Sequence, residues 1–178
     1  MPGMRKPWLI AAPLALLALA SGMWLAHSRY SPPSPAGALP PGFWQLAYPD
    51  AQGQPQTLAQ WRGKTLVVNF WASWCAPCRE EMPDFSALRR QYRGSAVEVI
   101  GIAVDTPQNV RSYLQQHPVD YPVLVGEGGA HALSRQLGNL DGALPYTIVL
   151  DRQGKVVLRH LGRLPRAVLD ASLRKIDA

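Results

Sequence analysis

The run Val67-Val68-Asn69-Phe70-Trp71-Ala72-Ser73-Trp74-Cys75-Ala76-Pro77-Cys78 constrains this chain more than any other segment, because an apolar strand leads directly into its only two cysteines. Thr65 to Phe70 is β-branched and aromatic without alternation, the pattern of a strand buried on both faces. A helix should follow. Pro77 suits its first turn, where the missing N–H is not needed, and Arg79 to Tyr92 carries helix formers until Gly94 stops it. Cys75 thus falls at a helix N-terminus. Unpaired N–H groups and the helix dipole favour a thiolate there, which predicts a lowered pKa and a nucleophilic sulfur. Cys78 lies about one turn further in, close enough to form a disulfide with Cys75 yet shielded from large partners. Cys75 is therefore assigned to attack and Cys78 to resolution.

The chain has 178 residues, 47% of them hydrophobic, which is room for one ordinary domain once any targeting segment is set aside. Its net charge of +6 is modest, and the lysines and arginines are scattered rather than gathered with interleaved aromatics. That distribution argues for a solvated basic surface and against nucleic-acid binding.

Residues 1–30 read as an export element, with Arg5-Lys6 ahead of an uncharged Leu- and Ala-rich stretch from Trp8 to Ala26. Its length approaches the ~20 residues of a membrane span and exceeds the ~7–15 of a signal-peptide core, so a retained anchor is favoured. The small-x-small Ala18-Leu19-Ala20 keeps a cleaved signal open as the alternative. The positive residues before the span place the N-terminus in the cytoplasm and the rest outside it. The proline-rich residues 31–41 should form an extended, polyproline-like spacer, and residues 42–178 the folded domain.

Within that domain, Phe43 to Tyr48 and the segment ending at Trp61 read as an N-terminal hairpin. Val97 to Val104 reads as a second central strand, and Pro107 to His117 as a helix opened by Thr106. Val123 to Val125 is a short strand and Ala130 to Leu137 a short helix. Tyr146 to Leu150 and Lys155 to Leu161 form a hairpin across Asp151-Arg152-Gln153-Gly154, and Pro165 to Ile176 closes the chain as a helix. Trp74 is favoured as a partly exposed apolar wall and Trp71 as core. The four histidines are scattered and read as ordinary surface or core residues.

Cys-x-x-Cys in a strand-to-helix turn within a βαβ pattern resembles a thioredoxin-like redox site. The Trp-Cys-x-x-Cys core, Pro83 five residues on, and Leu144-Pro145-Tyr146-Thr147 before a strand carry that resemblance from about Phe43 to the end. The closer likeness is to the membrane-tethered reductases of the TlpA/ResA type, whose signature resembles Asn69 to Pro83 here. The resemblance implies an α/β thioredoxin-like fold: a central mixed β-sheet flanked by helices, with an N-terminal β-hairpin and an inserted strand-helix segment. It also implies that Pro145 is cis near the cysteines, and that the backbone of Leu144 pairs with an extended substrate beside Trp74, Ala76 and Pro77. Where cytosolic thioredoxins carry a buried aspartate this chain has Asn69, which cannot take a proton. The TlpA/ResA group implies that Glu81 has that role instead. Spacing agrees, since Cys78 and Glu81 are i and i+3 on one helix face while Glu80 points elsewhere. The bland alternative is that both acids merely solvate the first helix turns.

The function implied is an exported disulfide reductase on the periplasmic side of the bacterial inner membrane, with no cofactor beyond a redox-active Cys75–Cys78 disulfide. Its partners would be disulfide-bearing proteins, such as apocytochromes c or copper-site assembly proteins, and a membrane electron donor of the DsbD/CcdA kind. A thiol oxidase or isomerase of the same fold is the nearest alternative, although Ala76-Pro77 offers no ionisable side chain between the cysteines. A copper-binding chaperone is the alternative from another class, and lacks a third ligand at suitable spacing.

Overall fold

The computed structural model describes residues 37–177 together with Ser21 and Gly22, a helical and exposed pair. Apart from that pair, the expected anchor or signal segment lies outside the described residues, as does most of the spacer. Among those described, no helix is long and apolar enough to cross a membrane.

The central element is β3 (Thr65–Trp71), all seven residues of which are buried, as its unbroken apolar run predicts. It pairs in parallel with β4 (Val97–Ala103), which pairs in parallel with β5 (Val123–Val125). On its other side β3 pairs antiparallel with β6 (Tyr146–Leu150), which continues into β7 (Val156–Leu161). The sheet is therefore mixed, in the order β5-β4-β3-β6-β7. A separate two-stranded hairpin joins β1 (Ala47–Pro49) to β2 (Pro55–Thr57). The helices are α1 (Ala76–Gln91), α2 (Pro107–Gln116), α3 (Glu127–Gln136) and α4 (Arg166–Asp177).

Alternate residues of each central strand feed two hydrophobic layers. Val67, Val99 and Val149 meet Met82, Phe85 and Leu88 of α1, Val110 of α2, and Leu169 and Leu173 of α4. Leu66, Val68, Phe70, Ile100 and Ile148 face the opposite way onto Phe43, Leu58, Trp61 and Leu133 of α3. Each fully buried side chain contributes about 1.5–3 kcal/mol, and β3, β4 and β6 each supply such side chains to both layers.

Several elements follow from local chemistry. Thr106 caps α2 by accepting the Asn109 N–H at 3.3 Å. In the β6–β7 turn, Asp151 Oδ1 accepts the Gln153 and Lys155 N–H groups, and Gly154 supplies a φ of 84°. Two expectations need correction. Phe43 to Tyr48 is not one strand: Gly42 takes φ 76° and starts a 3-10 turn over Phe43–Gln45, so extended chain begins only at Ala47. α3 starts at Glu127 rather than Ala130, despite the poor helix propensity of Gly128 and Gly129. Gly126 caps this start, its carbonyl accepting the Ala130 N–H at 2.9 Å where a Cβ would stand 2.5 Å from Ala130 Cβ.

The folded part also reaches back beyond Gly42. Gly37 is buried and its carbonyl accepts the Val156 N–H at 2.8 Å, while Leu39 and Trp44 pack over Gly154 of the β6–β7 turn. The last residues of the expected spacer are thus part of the domain surface.

Leu66→Ala, at the centre of the sheet and fully buried, should destabilise the protein by about 2–5 kcal/mol. Guanidinium unfolding followed by tryptophan fluorescence will show this as a lower midpoint with an unchanged slope.

Candidate active site

β3 ends at Trp71, and the chain turns through Ala72, Ser73 and Trp74 to reach Cys75. Asp105, the second residue after β4, holds that turn. Its Oδ2 accepts the Ser73 N–H at 2.9 Å and the Ser73 hydroxyl at 2.5 Å, and its Oδ1 accepts the Thr106 N–H and Asn109 Nδ2. Burial alone would raise the Asp105 carboxyl, but the bonds donated by Ser73, Asn109 and Thr106 outweigh it and hold the group below the ordinary range.

Cys75 caps α1, and its Sγ accepts the Cys78 N–H at 3.3 Å. The two cysteines form a disulfide with their Cα atoms 5.3 Å apart. Cys75 retains 6% exposure and Cys78 none, so the first cysteine lies nearer the surface than the second. Ala76 and Pro77 between them are exposed, and Trp74 beside them is 67% exposed, whereas Trp71 is fully buried. Pro83, one turn beyond Arg79, has no N–H to give the Arg79 carbonyl, which interrupts the α1 ladder just after the redox turn.

The Leu144–Pro145 peptide is cis. β3 and β6 pair Phe70 with Tyr146, so Leu144 and Pro145 lie at the end of the sheet from which Trp71 leads to the cysteines. Pro145 is buried, and the half-buried Leu144 packs against the layer that contains Cys75 and Cys78.

Glu80 and Glu81 have different surroundings. Glu80 is exposed and pairs with Arg163 at 3.3 Å. Glu81 is fully buried on the Cys78 face of α1, so it does not serve to solvate the helix start. One carboxylate oxygen accepts Asn69 Nδ2 at 2.8 Å, and the other accepts the Leu164 N–H at 3.0 Å. Burial pushes the Glu81 carboxyl up to about 7, and nearby Asp84 adds to the rise; the Leu164 and Asn69 bonds and the Arg163 charge oppose it. The site thus holds a carboxyl able to gain or lose a proton near neutral pH, one helical turn from the buried sulfur.

Asn69 is a participant that sequence reasoning misses. The sequence presents it only as a residue that cannot carry a proton, yet its Nδ2 bridges Glu81 and Thr147 Oγ1, at 2.8 and 3.0 Å. Thr147 stands two residues after the cis proline, so this amide ties the Glu81 carboxyl to the Pro145 strand. The available signal is register, since a polar residue in an otherwise apolar buried strand needs buried partners. Asp105 is missed as well, although its place before the Thr106 cap marks the end of β4.

The Redoxin family matches this chain over residues 35–173. The thiol-disulfide oxidoreductase ResA of Bacillus cereus is 32% identical over 129 residues, 71% of this chain and 72% of that protein. The thioredoxin-like protein YneN of Bacillus subtilis is 27% identical over 176 residues, 96% of this chain and 98% of its own length. The crystal structure of a thioredoxin-related protein from Neisseria meningitidis serogroup B superposes with a TM-score of 0.66 at 30% identity, covering 74% of this chain and 98% of that one. A thiol:disulfide interchange protein of the thioredoxin family from Chlorobium tepidum gives 0.65 at 27% identity, covering 84% and 99%.

A carboxyl with a folded-state pKa of about 7 against an ordinary 4.5 binds more protons folded than unfolded. Its contribution to stability is complete below pH ~4.5 and is lost as the pH rises through about 7, an effect on the order of 3 kcal/mol. Relative to Glu81→Gln, the oxidised wild-type protein should therefore weaken between about pH 4.5 and pH 8. Urea unfolding of both proteins across that range will read it as a falling difference in midpoint.

Proposed function

This chain belongs to the Redoxin family as a TlpA/ResA-like thiol–disulfide oxidoreductase of the thioredoxin superfamily, and we propose that it works as an exported reductant. The observation that carries the reading is the pairing of a near-surface sulfur, Cys75, with a buried sulfur, Cys78, one helical turn from the buried Glu81 carboxyl.

In the reduced protein the Cys75 thiolate attacks one sulfur of a substrate disulfide. The substrate S–S bond breaks, a Cys75–substrate bond forms, and the first substrate sulfur leaves as a thiolate that takes its proton from solvent. Glu81 takes the proton of Cys78, whose thiolate attacks Cys75 Sγ and releases the second substrate sulfur as a thiolate, and the proton held by Glu81 is then given up to complete the second thiol. Two electrons pass to the substrate, and the protein is left with the Cys75–Cys78 disulfide. Pro145 and the backbone of Leu144 offer an edge to an extended substrate segment, and Trp74, Ala76 and Pro77 form the apolar floor beside it. The absence of an ionisable side chain between the cysteines favours reduction over oxidation, because nothing there stabilises the reduced thiolate beyond the helix end.

The N-terminal segment would hold this domain on the periplasmic side of the bacterial inner membrane, as an anchor or, if cleaved, as a signal. A membrane electron donor of the DsbD/CcdA kind would re-reduce it, since an exported protein has no direct access to cytosolic reductant. Apocytochromes c and copper-site assembly proteins are the substrates that fit this placement.

The reduction potential of the full chain, equilibrated against thiol–disulfide buffers, tests the direction. A value near the ~−270 mV of thioredoxin is expected, and one near ~−120 mV would make the protein an oxidant. Cys78→Ser should accumulate mixed disulfides through Cys75 in cells. Capture by Cys75→Ser instead would exchange the two roles. Glu81→Gln should slow turnover about a hundredfold, with the loss seen in kcat against pH rather than in KM.

A further inference from the structure

α1 leaves the redox turn with one charge unbalanced. Glu80 pairs with Arg163, and Arg90 with Asp120, but the exposed Arg79, one helical turn after Cys75, has no ion pair or side-chain hydrogen bond among the described residues. Arg79, Met82, Ser86 and Arg90 follow one another at helical spacing and share one face of α1. That face lines a cleft of about 230 Å³, whose other wall includes Tyr113 and His117, the rings of which stack with centroids 4.6 Å apart.

The polar groups left over in this cleft are donors. Burial pushes the Tyr113 hydroxyl up and the Arg79 charge opposes it, which sets guanidinium and phenol close together. That hydroxyl makes no hydrogen bond among the described residues. Ser86 is buried in the cleft, where its oxygen accepts the Asp120 N–H at 3.3 Å and its own hydrogen remains to be given. The Asp120 carboxylate, which also lines the cleft, is taken up by Arg90. A guanidinium and two hydroxyls with no acid of the chain's own to meet them select an anion, and the planar fork of arginine suits a carboxylate. The net charge of +6 has the sign that draws an acidic partner.

Position identifies the source of that carboxylate. Four residues of helix place the Arg79 backbone about 6 Å along α1 from Cys75, a distance covered by about two residues of extended chain. We propose that Arg79 determines specificity by pairing, at the mouth of this cleft, with an aspartate or glutamate about two residues from the attacked cysteine of the partner protein. The proposal rests on the reading of Cys75 as the attacking sulfur, and adds to it that the preferred substrates carry an acid beside their disulfide.

The test uses the reduced full chain in detergent and two peptide disulfides, the symmetric dimer of Gly-Glu-Gly-Cys-Gly-Glu-Gly and its counterpart with glutamine in place of glutamate. An acid on either side of the cysteine serves either chain direction. After correction for the rates of both peptides with dithiothreitol, kcat/KM for the glutamate peptide should be about threefold to fivefold the higher at low salt, as for one exposed ion pair. The preference should vanish near ~1 M salt, where the screening length is ~3 Å. Arg79→Gln should erase it and Arg79→Glu reverse it, and the ratio within each protein cancels any effect of Arg79 on the Cys75 thiolate. A corrected ratio near one in the wild type, or a preference that survives in both variants, overturns the proposal. Binding gives a readout without turnover: the glutamate peptide with serine in place of cysteine should shift the Arg79 Nε–H NMR signal of the oxidised protein, and the glutamine form should not. A protein that shows this shift yet reduces neither peptide would defeat the redox reading alone, whereas one that reduces both equally would defeat the role of Arg79 alone.

Discussion

The double-sided burial of β3 is the constraint on which the rest of the structure depends. A strand paired on both edges and covered on both faces has no freedom of register, because a one-residue slip would exchange the contents of the two hydrophobic layers. That rigidity is transmitted to its C-terminal end, where Cys75 takes its place at the start of α1. The same burial obliges the one amide in the strand, Asn69, to find partners inside the protein. It does so with the carboxyl of α1 and the hydroxyl of β6.

The site is therefore organised around charge as much as around sulfur. Two carboxylates serve it under opposite regimes. Asp105 receives enough donors to remain ionised, and acts as a fixed anchor for the turn that presents Trp74 and Cys75. Glu81 receives fewer donors in a more enclosed place, so its charge is conditional on pH. One is suited to structure and the other to proton exchange, and the difference arises from environment alone.

What is legible in the sequence is what local rules decide. The buried strand, the proline in the first turn of α1, the Thr106 cap and the Asp151 turn each depend on residues a few positions apart. The cysteine pair at a helix start follows from them, whereas the fold class follows from the family resemblance. Bonds that span long stretches of chain are not legible: Ser73 to Asp105 crosses 32 residues, Asn69 to Thr147 crosses 78, and Glu81 to Leu164 crosses 83. The 3-10 turn at Phe43 and the early start of α3 escape sequence reading for a related reason. Gly42 at φ 76° turns the chain ahead of Phe43, and the Gly126 carbonyl takes the Ala130 N–H to open α3, both against the propensities of the residues that follow them.

The bond between Gly37 and Val156 also fixes where the chain enters the domain. Val156 opens β7 beside Leu150, whereas Leu161 closes it beside Tyr146, next to the cis proline. These ends are separated by the length of the strand, roughly 16 Å at ~3.3 Å per residue. Gly37 therefore lies at the pole of the domain remote from the disulfide. A protein docking over Cys75 meets the opposite end of the sheet, so the Gly37–Val156 contact stays clear of the surface that such a partner covers.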